Sequence, residues 1–186
     1  MDVPSTDSLP RDVYVVSDLH LAAGKPPGEL HHHRLESFFY DDAFVRFVDR
    51  ILARAAERGR EATLLLGGDV FDFLTVTQVP DPAEAARLGL TLTRDHRKAG
   101  LGSSPSHARW KLRRIFEGHP AFFEAIGRLL ARGHHLVIVA GNHDAELYWE
   151  DLRDDVERGL IAALWRVDPE ADVTAARRIL TWLDRV

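Results

Sequence analysis

The sequence LVIVAGNHDAELYW, residues 136–149, sets a short apolar run directly before the polar side chains of Asn142, His143 and Asp144. A short run of aliphatic and β-branched residues that ends at a glycine is typical of a buried strand. In a parallel sheet, ligands bind at the carboxyl ends of the strands. The stretch therefore predicts a strand followed by a loop that carries chemistry.

Two earlier runs have the same character. Residues 13–17 (VYVVS) and residues 63–66 (TLLL) are short and apolar, and the second is followed by Gly67 and Gly68. Polar residues come shortly after the end of each run, as they do after the run at 136–139. The three runs predict three strands whose polar ends lie side by side at one edge of a sheet.

Helical periods separate these strands. Apolar residues recur at i, i+3 and i+4 over residues 43–56 and 110–130, the second block being interrupted at residues 118–120 (GHP). A further helix is predicted over 150–165, and a last one from Asp168 to residue 183. Strands that alternate with amphipathic helices predict an α/β fold with a largely parallel sheet covered on both faces.

Composition limits the function classes. The chain has 186 residues, 45% of them hydrophobic and 28% charged, with no cysteine and a net charge of −5. We therefore expect one soluble, cytoplasmic domain without a transmembrane segment, and the charge argues against a nucleic-acid or anionic-membrane surface. Without thiolates, a metal must be held by oxygen or imidazole, which favours Mn²⁺ or Fe²⁺, with Zn²⁺ and Mg²⁺ as alternatives.

Five side chains should meet at the predicted strand ends. Residues i and i+2 of an extended segment point to the same side, so Asp18 and His20 can grip one ion together. Asp69 follows the second strand, and a carboxylate there can bridge two ions about 3.5–4 Å apart. Asn142 offers a further oxygen, and His143 is then free to face a substrate.

The order Asp-x-His, Gly-Asp-x-x-Asp, Gly-Asn-His-Asp resembles the calcineurin-like metallophosphoesterases, over about residues 13 to 149. The resemblance implies the N-terminal and central portion of an αββα sandwich with two divalent metal ions. It implies that Asp18 and His20 hold one ion, that Asp69 bridges and that Asn142 holds the second. It further implies that His143 protonates the leaving alkoxide. Asp144 would orient His143, and Asp72 would support the site from behind the ligands.

The sequence departs from that family after His143, because the family's later histidines, including a Gly-His-x-His pair, are missing. We therefore expect residues 1–186 to form a single domain that is C-terminally incomplete, leaves apolar surface uncovered and self-associates. Among the remaining histidines, His31, His32 and His33 are the only candidates to replace the missing ligands. The alternative is that they belong to a solvated loop.

A basic segment at 94–114 follows the second motif and includes Arg109 and Lys111. Two interpretations remain open: a solvated helix face, or an anion-binding lid in which Arg109 and Lys111 contact the substrate. Residues 74–109 are accordingly a candidate lid or insertion.

The function implied by the resemblance is metal-dependent phosphoester hydrolysis by a dinuclear centre, with metal-bound hydroxide as nucleophile and His143 as general acid. The expected substrate is a phosphorylated small molecule or lipid precursor, the latter because one branch of the family hydrolyses UDP-diacylglucosamine. The alternative is a non-catalytic scaffold, or an inactive truncated phosphoesterase, that binds a protein partner.

Overall fold

Four parallel strands form one sheet in the computed structural model, which describes residues 11–25 and 28–183. The strands are β1 (Asp12–Val16), β2 (Ala62–Gly67), β3 (His135–Val139) and β4 (Leu180–Leu183), and they lie in that order across the sheet. The register pairs Val15 of β1 with Leu65 of β2, and Leu65 with Val137 of β3. The prediction of an α/β fold with a parallel sheet is therefore confirmed, as are its first three strands.

Seven helices and one 3₁₀ turn are found in the described part of the chain. The long ones follow the apolar periodicity, and the block at 110–130 divides where Pro120 begins a new helix at its first turn. The helices are α1 (Asp41–Arg58), α2 (Pro82–Arg87), α3 (Arg94–Ala99), α4 (Pro105–Gly118), α5 (Pro120–Ala131), α6 (Glu150–Val167) and α7 (Val173–Arg178), with the 3₁₀ turn at Ala145–Tyr148.

The prediction of a helix from Asp168 to residue 183 was wrong. The helix is only α7, whose first turn is capped by the Asp172 carboxylate through the N–H groups of Thr174 and Ala175. The chain then enters β4, where Leu180 pairs with Leu136 of β3. Strand pairing at an open sheet edge outweighed the local helical pattern of this short segment.

One face of the sheet is covered by helices. α1, α5 and α6 pack side by side, α1 contacts β2, and α5 contacts β3. Leu64, Leu66, Leu136 and Ile138 point into this layer and are almost completely buried. They form the centre of the hydrophobic core.

The opposite face is open, contrary to the prediction of a sheet covered on both faces. Val13 and Val15 of β1 are 59% and 62% exposed, and Leu183 of β4 is 47% exposed. The strands alternate buried and less buried residues because no described element packs on this side.

A buried ionic cluster fixes the loop after β1. The His119 ring is fully buried, with Nε2 3.2 Å from Glu36 and Nδ1 3.1 Å from Asp41. Glu36 also accepts hydrogen bonds from the backbone N–H groups of Ala22, Gly24, Ser37 and Phe38. The cluster joins this loop to the start of α1 and to the junction of α4 and α5.

None of the helices within residues 11–25 and 28–183 combines the length and the apolar character that a membrane crossing requires.

Candidate metal centre

The loops after β1 and β2 are held together by backbone hydrogen bonds that extend the pairing of the two strands. The N–H of His20 donates to the carbonyl of Asp69 at 2.9 Å, and that of Leu21 donates to Val70 at 2.9 Å. In return, the N–H of Asp72 donates to the carbonyl of Leu21 at 2.8 Å. The first two motifs are therefore fixed relative to each other by the backbone.

Backbone conformation marks three of the predicted ligands. Among the described residues other than glycine, φ is positive at Asp18 (55°), His20 (52°) and Asp69 (51°), and at no others. The left-handed region is unfavourable for residues with a Cβ, and such conformations cluster at functional sites. The prediction that Asp18 and His20 lie on an extended segment was therefore wrong: the chain turns sharply at these positions and still brings their side chains to one rim.

Asp18, His20 and Asp69 form a set of side chains that could hold a metal ion. One donor atom from each lies within 4.8 Å of the others. Burial alone would raise the pKa of Asp69, but the backbone N–H groups of His143 and Asn142 lower it below the usual range. The bond from His143 is 2.9 Å long and ends on Oδ1. The third motif is thereby joined to the second, and Asp69 is kept ionised.

A second set of potential ligands, His20, Asp72 and His143, overlaps the first. Oδ2 of Asp72 lies 3.6 Å from Nδ1 of His20 and 3.4 Å from Nδ1 of His143. The two rings stand perpendicular, with centroids 4.6 Å apart. Nδ1 of His143 is buried and makes no aligned hydrogen bond. Asp72, expected behind the ligands, is therefore the carboxylate beside both imidazoles.

Asp144 has a different environment from the one expected. It is fully buried, and its carboxylate accepts hydrogen bonds from the N–H groups of Val70 (2.8 Å), Phe71 (3.3 Å) and Gly141. Burial raises the pKa of this carboxyl group above its usual range, and the three N–H donors oppose that rise. Asp144 thus braces the loops after β2 and β3.

Gly141 is required by the close approach of these two loops. A Cβ at this position would overlap the Asp69 carboxylate and its backbone nitrogen. Only glycine therefore allows Asn142 and His143 to reach the Asp69 side chain.

Lys111 and Arg109, the two residues of the basic segment that were predicted to contact the substrate, are both held by other partners. Lys111 is 3% exposed, and its ammonium donates to the carbonyl of Phe73 at 2.8 Å. Arg109 binds Asp155 at 2.8 Å and Asp151 at 3.0 Å, both on α6. Residues 74–109, the candidate lid or insertion, include α2, α3 and the start of α4.

The histidines after β1 do not replace the missing ligands in the described chain. His31 and His32 are exposed, and Nε2 of His33 lies 3.3 Å from the Thr77 hydroxyl. None of the three belongs to either set of potential ligands. The solvated-loop interpretation describes His31 and His32 better.

Sequence reasoning missed a pocket beside the rim. It is open, with a volume of about 260 Å³, and Glu146 and Trp149 lie in it together with Asn142 and His143. The remaining lining residues are Leu74, Ser103 and Ala145. The signal in the sequence was the acidic and aromatic pair that directly follows the third motif.

Comparisons with protein-family models, curated proteins and solved structures found no match to this chain.

Proposed function

We propose that this protein is a metal-dependent phosphoester hydrolase of the calcineurin-like type. The observation that carries the proposal is the convergence of Asp18, His20 and Asp69, with donor atoms within 4.8 Å of one another and all three backbones in the left-handed region. Polar residues at strand ends that had no function would not need donor atoms that converge, and they would not need strained left-handed backbones.

The donors fit divalent first-row metals. Carboxylate and imidazole suit Mn²⁺ and Fe²⁺, with Zn²⁺ and Mg²⁺ as alternatives. The buried Nδ1 of His143, which makes no aligned hydrogen bond, supports the proposal of a ligand at this rim. When bound, such ions supply Lewis-acid stabilisation of a phosphoryl group and a nucleophile that is active near neutral pH. Asp18, His20 and Asp69 would hold the first ion, and Asp69 with Asn142 the second.

His143 is proposed as the general acid. Its side chain is 37% exposed, so the ring is accessible from the rim, while Nδ1 faces Asp72. That arrangement leaves Nε2 to hold the proton that passes to the leaving oxygen. We assign the positioning of this ring to Asp72, whereas Asp144 acts on it only through the loop that it braces.

The αββα sandwich is the architecture that we propose around this centre. Support comes from the apolar residues on the open face of the sheet, among them Val13, Val15 and Leu183. A second layer packed on these side chains would remove their apolar surface from water.

Metal loading tests the proposed function. The protein is loaded with Mn²⁺, freed of excess metal by gel filtration, and analysed by mass spectrometry for ions per chain and by hydrolysis of bis(p-nitrophenyl) phosphate and p-nitrophenyl phosphate. We expect bound Mn²⁺ and hydrolysis of at least one ester, and both should be lost in Asp69→Asn. Asp49→Asn, which removes an exposed carboxylate on α1, is the matched control.

Two results would contradict the proposal. Absence of bound metal would remove the centre itself. Bound metal without hydrolysis of either ester would favour the alternative, a non-catalytic scaffold that binds a protein partner. The scaffold would not need a complete second metal site, for which the proposal names two side chains, Asp69 and Asn142.

A further inference from the structure

The pocket beside Asn142 and His143 combines an apolar wall with a single carboxylate. One wall is apolar, since Leu74 is 62% exposed and Ala145 and Trp149 lie next to it. Ser103 adds a hydroxyl group, and Glu146 adds a carboxylate that is 7% exposed. No Lys or Arg lines the pocket. A pocket that contains both a carboxylate and an aromatic side chain is a favourable environment for an organic cation.

Glu146 shares its neighbouring buried cation with another carboxylate. Lys111 is the cation beside Glu146, but it also faces Asp72, and its ammonium is hydrogen bonded to the Phe73 carbonyl. Asp72 also has the rings of His20 and His143 beside it, whereas Glu146 lines the pocket. A cationic ligand in the pocket is attracted by the Glu146 carboxylate, and an anionic ligand is repelled by it.

We propose that this pocket binds the ammonium group of the leaving alcohol, so that the substrates are phosphate esters of amino alcohols or of choline-like alcohols. The proposal rests on the proposed function, because it places the leaving group next to His143. The ammonium lies against Glu146 and the Trp149 ring, and its methyl or methylene groups contact Leu74 and Ala145. Leaving groups that carry further phosphates are repelled by Glu146.

The reaction balances as a hydrolysis. The oxygen of water bonds to phosphorus while the bond between phosphorus and the alcohol oxygen breaks. The proton of His143 passes to the departing oxygen, and a proton from water restores His143. The products are the amino alcohol and the phosphate, without oxidation or reduction.

Two probes of the same shape test the charge requirement. Choline and 3,3-dimethylbutanol differ in that a quaternary nitrogen is replaced by carbon, and their affinities for the Mn²⁺-loaded protein are measured by titration calorimetry. We expect choline to bind about tenfold more tightly than its neutral isostere, a difference typical of a cation against a carboxylate and an aromatic ring. Equal affinities would overturn the proposal.

Variants of the lining residues test whether the preference for choline over 3,3-dimethylbutanol arises in this pocket. Glu146→Gln should reduce it to about threefold or less, and Leu74→Arg, at an exposed position of the wall, should abolish choline binding by repulsion. Glu150→Gln, which removes an exposed charge four residues from Glu146, should leave choline binding unchanged. Thermal unfolding checks that each variant is folded. A preference that survives both Glu146→Gln and Leu74→Arg would overturn the assignment to this pocket.

Turnover separates this proposal from the one on which it rests. Phosphocholine and 3,3-dimethylbutyl phosphate are compared by phosphate release from the wild-type protein, with p-nitrophenyl phosphate as reference. Hydrolysis of the reference with no preference for phosphocholine would overturn only the ammonium pocket. Choline binding by Glu146 without hydrolysis of any ester would overturn the proposed function and leave the ammonium site standing.

Discussion

Oδ2 of Asp72 lies 3.4 Å from Nδ1 of His143, while the carboxylate of Asp144, the residue adjacent to His143 in sequence, accepts hydrogen bonds from three backbone N–H groups instead. Proximity in sequence and proximity of side chains therefore point to different partners for this imidazole. The two carboxylates should respond differently to mutation, one in rate and the other in stability.

Asp72→Asn should lower kcat by about 10–100-fold with little change in bound Mn²⁺, because the variant removes the charge that orients His143 but none of the first ion's proposed ligands. Steady-state kinetics and metal counts on the same sample measure this. If metal content falls together with kcat, Asp72 is itself a ligand and the set His20, Asp72 and His143 is the one that holds an ion.

Asp144→Ala should lower the free energy of unfolding by at least about 3 kcal/mol, because three buried N–H groups lose their acceptor at about 1–3 kcal/mol each. Asp144→Asn, which keeps one acceptor oxygen, should lose less. Urea unfolding measures both. Asp168→Ala is the control, since its carboxylate accepts a hydrogen bond in an exposed turn. Equal losses in the two alanine variants would contradict the bracing role of Asp144.

Gly141→Ala should abolish tight Mn²⁺ binding, because the added methyl group would occupy the space of the Asp69 carboxylate. Gly102→Ala is the matched control, since a Cβ there meets only the His107 ring at 3.6 Å. Calorimetric titration with Mn²⁺ compares the two. Undiminished binding by Gly141→Ala would show that Asp69 can shift without loss of the site.

Stability should fall as the pH rises from 6.5 through about 9, owing to His119. Burial alone would lower the pKa of this imidazole, but Asp41 and Glu36 raise it from 6.5 to about 9. A raised pKa in the folded state gives a contribution that is complete below pH 6.5 and is lost as the folded group deprotonates. Melting temperatures of the wild type and His119→Gln across this range measure it, and their difference should shrink towards high pH.

Glu36 acts in the opposite direction at low pH. Burial would raise the pKa of this carboxyl group, but His119 and the backbone N–H groups of Phe38 and Gly24 lower it below 4.5. Its contribution is present above pH 4.5 and is lost as the pH falls through the folded pKa. The cluster should therefore stabilise the protein most between about pH 4.5 and 6.5. A difference in melting temperature between wild type and His119→Gln that stays constant from pH 6.5 to 9.5 would contradict the proposed contribution of His119.

The open face of the sheet should make the protein self-associate. Val15→Lys places a charge at a position that is 62% exposed on this face and should shift the distribution towards monomer. Leu30→Lys is the control, because Leu30 is 84% exposed but lies in the loop after β1. Sedimentation velocity compares them. A wild-type chain that is monomeric at all concentrations would contradict the prediction.

Much of the fold could be predicted from the sequence because the first three strands and the long helices bury continuous apolar patterns. Leu64 and Leu136 lie on strands placed by such patterns alone. β4 could not be predicted, since its four residues gain their structure from pairing with β3. The short helices α2 and α3 depend on caps, at Asp81 and Thr93, more than on apolar periodicity.

The site was predictable in its residue types but not in its contacts. The rule that polar residues follow parallel strands correctly brought Asp18, His20 and Asp69 together. It could not distinguish Asp72 from Asp144 as the neighbour of His143, because that choice depends on loop conformation. It also could not show that Lys111 is buried, since a lysine at the end of a flexible stem can be directed inward or outward.

The left-handed conformations of Asp18, His20 and Asp69 set the stability of the backbone against the presence of polar side chains at the rim. Each carries a conformational cost on the order of 1 kcal/mol that glycine would not bear. Replacing these three residues with glycine should therefore stabilise the fold, and it would remove the proposed metal ligands.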